Sequence, residues 1–374
     1  MERKIRILHV AQAAGGVDRY LQTLLRYIDH EKFENIVVLS SDYNEKNYRD
    51  NVLAYEELAM QREINREDLT ATIELRKIIK KYRPDIVYAH SSKAGAITRI
   101  ADIGLKNKCI YNPHGWAFNM RCTGKKRKVY ATIEKLAAHF CQKIICISTY
   151  EKESALAKGI CKEKKIQVIF NGIDIEEYER HSYISYTRDS LGIPEGAFVV
   201  GMVGRLSPQK APDVFIRVAK KIKESIPNAF FILVGSGEQE SEIINYAKEN
   251  DLLQHLLITG WVDNPMSYVE LFDVAMLLSR WEGFGLVLPE YMIAKKPIVA
   301  SRVDAIPDII ADHKNGILVK PDDIESPYHA VMELQRNATL RNRLIENAYS
   351  DVHARFDVKR VAKEHEDLFY SIIL

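Results

Sequence analysis

The stretch Arg280-Trp281-Glu282-Gly283-Phe284-Gly285-Leu286-Val287-Leu288-Pro289-Glu290 sets two carboxylates, with seven residues between them, around a loop that carries two glycines. An apolar run, 274–278, precedes it and reads as a strand. Proline is tolerated in the first helical turn, so Pro289 puts a helix start within about three residues before it and Glu290 in the opening turn. Exposed amides in a glycine loop and the positive end of a helix suit a phosphate or a sugar hydroxyl. A second chemical group lies upstream. Arg205 and Lys210 follow a strand over Phe198–Val203 and precede a helix from about Pro212, which places two cations and free amides together, an arrangement for a diphosphate.

The first half of the chain carries a glycine pair and two histidines at strand ends. Gly15-Gly16 lies between the apolar run 5–10 and the helical spacing of Tyr20, Leu21, Leu24, Leu25 and Ile28. Strand, glycine loop and helix in that order begin a doubly wound α/β unit, with the loop at the carboxyl edge of the sheet where ligands bind. His90 and His114 both follow strand-like runs, on the same edge.

These patterns resemble the family-four retaining glycosyltransferases of GT-B fold, in which two Rossmann-like α/β domains face each other across a cleft. The resemblance rests on E-x7-E with Gly-Phe-Gly inside it, on Gly204-Arg205 with Lys210, on Asn171-Gly172-Ile173-Asp174, and on His114-Gly115-Trp116. It implies Glu282 against the donor sugar and the amides of Phe284, Gly285 and Leu286 on its hydroxyls. Glu290 would hold the ribose, and Arg205 and Lys210 the diphosphate. Gly16 would approach donor phosphates and acceptor, His114 would lie beside the donor sugar and close to the acceptor hydroxyl, making Glu282 and His114 the implied catalytic pair, and Val262, in the loop after a strand at 256–259, would touch the base. The chain departs from the family pattern at Lys210-Ala211, where Lys-Gly is usual, at Asp304-Ala305, where many members have Gly-Gly, and at Asp18-Arg19 after the first glycine pair. His90-Ser91-Ser92-Lys93-Ala94-Gly95 and Asn112-Pro113-His114-Gly115-Trp116-Ala117-Phe118 are similar to bacterial exopolysaccharide and capsule enzymes, which extend a saccharide on a polyprenyl diphosphate.

The elements that must position these residues alternate strand and helix along the chain, which predicts parallel sheets. A length of 374 residues favours two domains. The polar, irregular stretch 176–197 reads as the linker between a first domain over 1–180, expected to bind acceptor, and a second over 181–356, expected to bind the nucleotide sugar. A helix over 357–374 is expected to return to the first domain.

A net charge of +2 is uninformative, but residues 101–170 hold 14 Lys and Arg against 5 Asp and Glu. No nucleic-acid-reading module accompanies them. With Trp116, Phe118, Met120 and Tyr130 nearby, the cluster Lys125-Lys126-Arg127-Lys128 predicts docking on anionic lipid. The absence of a long apolar run excludes a spanning helix, and the broken N-terminal run reads as a buried strand rather than a signal peptide. Five cysteines, at 109, 122, 141, 146 and 161, lack zinc spacing and suit a reducing compartment. Together these point to a cytoplasmic protein, peripheral at the inner face of the membrane.

No Asp-x-Asp occurs, so transfer is expected to need neither metal nor cofactor: a nucleotide-diphosphate sugar is the donor and a lipid-linked saccharide the acceptor. A nucleotide-sugar epimerase or hydrolase on the same fold remains the alternative.

Overall fold

The computed structural model describes residues 3–12, 14–61, 67–120, 123–180 and 186–374. Cys122 and residues 181–185 of the expected linker lie outside the described residues. The chain forms two compact units, one of residues 1–172 and 358–374, the other of residues 173–357. The change of unit falls within Asn171-Gly172-Ile173-Asp174.

The first unit runs β1 (Ile5–Ala11), α1 (Gly16–Tyr27), β2 (Phe33–Leu39), β3 (Ala54–Glu57), α2 (Glu67–Tyr82), β4 (Ile86–His90), α3 (Ser92–Ala101), β5 (Lys108–Asn112), α4 (Gly124–Ala137), β6 (Lys143–Cys146), α5 (Thr149–Ala157) and β7 (Ile166–Val168). Its seven strands are ordered β3-β2-β1-β4-β5-β6-β7 and every pairing is parallel. Parallel strands covered on both faces read as continuous apolar runs, and β4 is buried at every residue.

The second unit runs α6 (Ile175–Arg180), β8 (Phe198–Val203), α7 (Pro212–Ser225), β9 (Ala229–Val234), α8 (Glu240–Glu249), β10 (Leu256–Ile258), α9 (Met266–Val269), β11 (Val274–Leu277), α10 (Val287–Ile293), β12 (Ile298–Ser301), α11 (Ile306–Ile309), β13 (Ile317–Val319), α12 (Glu325–Arg336) and α13 (Ala338–Arg355). Its six parallel strands are ordered β10-β9-β8-β11-β12-β13. The last helix, α14 (Val358–Ile373), buries Val361, Leu368 and Phe369 in the core of the first unit beside Leu21 and Leu25 of α1.

Each sheet reverses its strand order once, between β1 and β4 in the first unit and between β8 and β11 in the second. Connections leave such a neighbouring pair in opposite directions, which opens a crevice at their carboxyl ends. The glycine pair after β1 and His90 at the end of β4 border the first crevice. Loops 204–211 and 278–286 border the second.

Two surface expectations change. Trp116 and Phe118, expected beside a lipid-docking patch, are 1% and 0% exposed and stack with their ring centres 5.1 Å apart. Their rings join the core formed by β4, β5, β6 and α5, and Trp116 Nε1 donates to the Glu151 carbonyl at 3.0 Å, so burial outweighs any surface role. His90, read as lying past its strand, is the last residue of β4 and fully buried. Among the described residues no helix is long and apolar enough to cross a membrane.

Candidate active site

In the second unit, β8 ends at Val203, and the loop after it reaches α7 through Ala211 and Pro212. Pro212 occupies the first turn, where no amide hydrogen is required. Ala211 caps the helix in the left-handed conformation, at φ 53° and ψ 51°, and is fully buried. The family's usual glycine would adopt this without strain, and alanine does so at about 1 kcal/mol. Lys210 lays its aliphatic stem across Gly204, where an added Cβ would stand 3.3 Å from Lys210 Cγ. Its ammonium is held by Glu282 Oε2.

Glu282 sits in the loop after β11, 9% exposed, and its Oε2 also accepts from the Ser279 hydroxyl at 3.1 Å. Its backbone amide donates to Asp304 Oδ2 at 2.9 Å. Asp304 stands where many family members have glycine, and it keeps the left-handed backbone that glycine would favour, at φ 43°. Aspartate tolerates that region better than most residues, and here its carboxylate braces Glu282 as well. Gly285 has φ 88°, and a Cβ there would press on Glu282 Cγ and Leu277 Cδ2, each at 3.3 Å. The amides of Gly285 and Leu286 have no hydrogen-bond partner among the described residues, so they remain available to a ligand.

The two loops are tied together. Arg280 grips both oxygens of Asp213, at 3.0 and 2.6 Å, and donates to the Pro208 carbonyl at 2.9 Å. Gln209 Nε2 donates to the Trp281 carbonyl at 3.1 Å. A forked guanidinium fixes distance and direction at once, which a point charge cannot do.

The other expected residues of this unit are placed as follows. Glu290 is buried on α10, and its Oε1 accepts from the Tyr178 hydroxyl of α6 at 3.1 Å. The Phe284 side chain is buried with its ring 5.8 Å from that of Phe356. Leu286 and Val262 are half-buried. Arg205 is not joined to the Lys210–Glu282 pair: its side chain is 69% exposed, 3.5 Å from Glu238. An exposed ion pair of this kind contributes about 1 kcal/mol or less and leaves the guanidinium free to move.

In the first unit, Gly16 begins α1, exposed, behind an N-cap glycine with no side-chain cap. His114 has φ 50°, and its amide donates to Asn112 Oδ1 at 2.9 Å. Its Nε2 lies 3.0 Å from His90 Nδ1. Burial holds the His114 pKa down to about 3, with the nearby His365 adding to the effect, so the ring is neutral at physiological pH. A separate set, Tyr20, Tyr88 and His365, fills the space beside it. The Tyr20 hydroxyl donates to His365 Nε2 at 2.7 Å, because His365 Nδ1 already donates to the Val361 carbonyl at 2.7 Å. Among the described residues no group of three or more His, Cys, Asp or Glu is placed to hold a metal ion.

Two family models tile the chain: Glycosyltransferase Family 4 matches residues 14–177 and Glycosyl transferases group 1 matches residues 185–351. An uncharacterized 41.2 kDa protein in the cps region of Klebsiella pneumoniae is 33% identical over 255 residues, 66% of this chain and 68% of the relative. The chain belongs to the family-four glycosyltransferases. The glycosyltransferase is also 29% identical over 380 residues, 99% of its length and 98% of the relative's, to the Escherichia coli UDP-Gal:alpha-D-GlcNAc-diphosphoundecaprenol alpha-1,3-galactosyltransferase. Among solved structures it is similar to Anabaena Alr3699/HepE in complex with UDP and glucose, with a TM-score of 0.85 and 22% identity over 98% of this chain and 100% of that one. That likeness shows the GT-B fold.

Several residues of this glycosyltransferase that shape the site were not singled out from sequence: Arg280, Asp213, Gln209 and Asp304 around Glu282, and Asn35, His9, Tyr20 and His365 around His114. Only Asp304 left a signal, as a departure from a glycine pattern. The others become visible only when distant segments meet.

Proposed function

We propose that the protein moves a hexosyl group from a nucleotide-diphosphate sugar to a saccharide carried on a polyprenyl diphosphate, with retention of anomeric configuration and without a metal ion. The observation that carries this reading is the Lys210–Glu282 pair, braced at the crevice of the second sheet beside the open amides of Gly285 and Leu286. It supports a site that meets a pyrophosphate with a cation and a sugar with a carboxylate and two donors.

Departure of a nucleoside diphosphate builds negative charge on its outer phosphate. A donor already in place there stabilises the transition state without reorganisation. Lys210 has that role, and the arriving diphosphate replaces Glu282 as its partner. Arg205, loosely held by Glu238, adds a second positive charge. Glu282 then faces the sugar, while the amides of Phe284, Gly285 and Leu286 take its hydroxyls. Glu290 holds the ribose and Val262 touches the base. To the first unit we assign the acceptor, with Gly16 and His114 as hydroxyl partners. The E. coli relative, named for a UDP-sugar donor and a lipid diphosphate acceptor, supports both substrate classes.

The lipid acceptor calls for a membrane surface. Helix α4 exposes Val129, Ile133 and Leu136, at 53%, 42% and 63%, with Phe140 beyond them at 49%. Lys125, Lys126, Arg127, Lys128 and Lys135 flank that stripe. The opposite side of α4 is anchored by Glu134, which accepts from the buried Arg99 at 3.0 Å and from the Tyr111 hydroxyl at 2.9 Å. An apolar stripe bordered by cations fits the interface of an anionic bilayer on the cytoplasmic side.

The test is transfer from radiolabelled UDP-, dTDP- and GDP-sugars to polyprenyl-diphosphate-linked saccharides, with product anomers assigned by NMR and the assay repeated in EDTA. A labelled product of inverted configuration, or loss of transfer in EDTA, overturns the mechanism. Epimerised or hydrolysed donor without acceptor-dependent product overturns the reaction itself. Sedimentation with anionic vesicles, expected to fail at high salt and in Ile133→Asp/Leu136→Asp, tests the membrane assignment.

A further inference from the structure

Behind His114 the first unit carries a file of buried polar side chains to which the chemistry above gives no task. It crosses four neighbouring strands of the sheet. Asn35 lies on β2, His9 on β1, His90 at the end of β4, and His114 in the loop after β5. Asn35 Oδ1 is 3.2 Å from His9 Nε2, His9 Nδ1 is 3.3 Å from His90 Nε2, and His90 Nδ1 is 3.0 Å from His114 Nε2. His9 and His90 have no solvent exposure.

A neutral imidazole has one N–H and one lone pair, so each ring in this file donates on one side and accepts on the other. The tautomers therefore cannot be chosen independently. Once one end is set, every ring follows. Asn35 sets it: we place its amide oxygen, which only accepts, against His9, with its Nδ2 buried and without a partner among the described residues. His9 must then carry its proton on Nε2 and accept at Nδ1 from His90. His90 accepts at Nδ1 from His114 Nε2–H. The remaining nitrogen, His114 Nδ1, has no partner among the described residues and bears a lone pair. Burial pushes His9 down to about 4 and His114 to about 3, and lowers His90 in the same direction, so no ring holds a second proton near neutrality.

We propose that Asn35, His9 and His90 are positioning residues that hold His114 in its Nε2–H form, so that Nδ1 accepts a hydrogen bond from a neutral hydroxyl of the substrate. A carboxylate or phosphate oxygen at that point has no proton to offer and meets a lone pair instead. The site therefore selects a hydroxyl there over an unprotonated acid oxygen. This substrate statement rests on the role given to His114 above. The tautomer statement does not.

The full chain labelled with 15N-histidine reports tautomers directly in long-range 1H–15N spectra at pH 7.5, with single-histidine variants for assignment. Wild type alone decides the first point: His9, His90 and His114 are expected protonated on Nε2, and His365, whose Nδ1 meets a backbone carbonyl, is expected protonated on Nδ1 as an internal reference. A proton on His114 Nδ1, or a mixture of forms, overturns the proposal. In Asn35→Leu and His9→Leu, His114 is expected to become a mixture, and turnover to fall about tenfold with donor KM unchanged. Variants that lose thermal stability but keep the His114 tautomer and turnover show a purely structural file and overturn it too. Full transfer by His114→Ala removes the substrate statement and the assigned role of His114, while the spectra still judge the tautomer.

Discussion

At the carboxyl edge of the first sheet the polar side chains are neutral: three imidazoles in file, and two tyrosines around His365. At the same edge of the second sheet they are charged and paired, Lys210 with Glu282 and Arg280 with Asp213. The two crevices arise from the same topology, so strand order alone does not explain the contrast. Burial does. His9, His90 and His365 have no solvent exposure and lose their charge, and desolvation keeps the half-buried His114 neutral too, whereas Lys210 and Glu282 are 17% and 9% exposed at the side chain and retain opposite partners. A crevice furnished with paired charges suits an anion that can exchange with one partner. A crevice furnished with neutral groups suits hydroxyls. Architecture supplies the position, and local desolvation sets the chemistry.

The widest separation between the units is expected in their pH dependence. His9, His114 and His365 have native pKa values pushed down to about 4, 3 and 4 from an ordinary 6.5, so below pH 6.5 the unfolded chain binds more protons than the native one and stability falls with acidification. Glu151 acts in the opposite sense: burial raises it to about 8, and the native state binds the extra proton between pH 4.5 and 8, so stability falls as pH rises through that window. Burial lowers His90 in the same direction, so four groups against one leave a net loss on the order of 4–5 kcal/mol between pH 6.5 and 5, and a much smaller loss from about 7 to 8. Urea unfolding followed by Trp116, in a Trp261→Phe/Trp281→Phe background, should show a maximum at about pH 7. A flat profile would break the contrast, and Glu151→Gln should remove the alkaline decline.

The next effect belongs to the charged crevice. Lys210→Ala and Glu282→Ala should each lose at least about 2 kcal/mol of transition-state stabilisation, read as kcat/KM for transfer. Near-normal transfer by either folded variant would sink the assignment of that pair. Arg280→Lys keeps the charge but loses the fork to Asp213 and should cost about 1.5 kcal/mol in urea unfolding of the second unit. An unchanged midpoint would show that the two loops need no such tie. The smallest effect is a gain: Ala211→Gly should stabilise the same unit by about 0.5–1 kcal/mol, since glycine adopts the left-handed cap without strain.

Much of this organisation is legible in the residues themselves. Apolar runs closed by glycine or polar loops mark β1, β8 and β11, and Pro212 and Pro289 mark helix starts, because these signals are local and act through backbone geometry. Lys210, Glu282 and Gly285 could be singled out for the same reason, each lying at a strand end before a helix. The surface was less legible. Trp116 and Phe118 are as compatible with an exposed patch as with a core until their neighbours are known, and the apolar stripe on α4 emerges only when Glu134 is seen to face Arg99.

The sequence by itself determined two alternating α/β units, the edge of each sheet on which loops gather, and the kinds of group those loops carry, since strand and helix periodicity and turn residues act over a few positions. Tertiary structure alone decided which groups are charged and what they touch. His9, Asn35, His90 and His114 come from four separate strands and loops, and Glu282 is braced by Asp304 and Lys210, 22 and 72 residues away. Desolvation and hydrogen-bond direction depend on such long-range neighbours, and no local pattern encodes them.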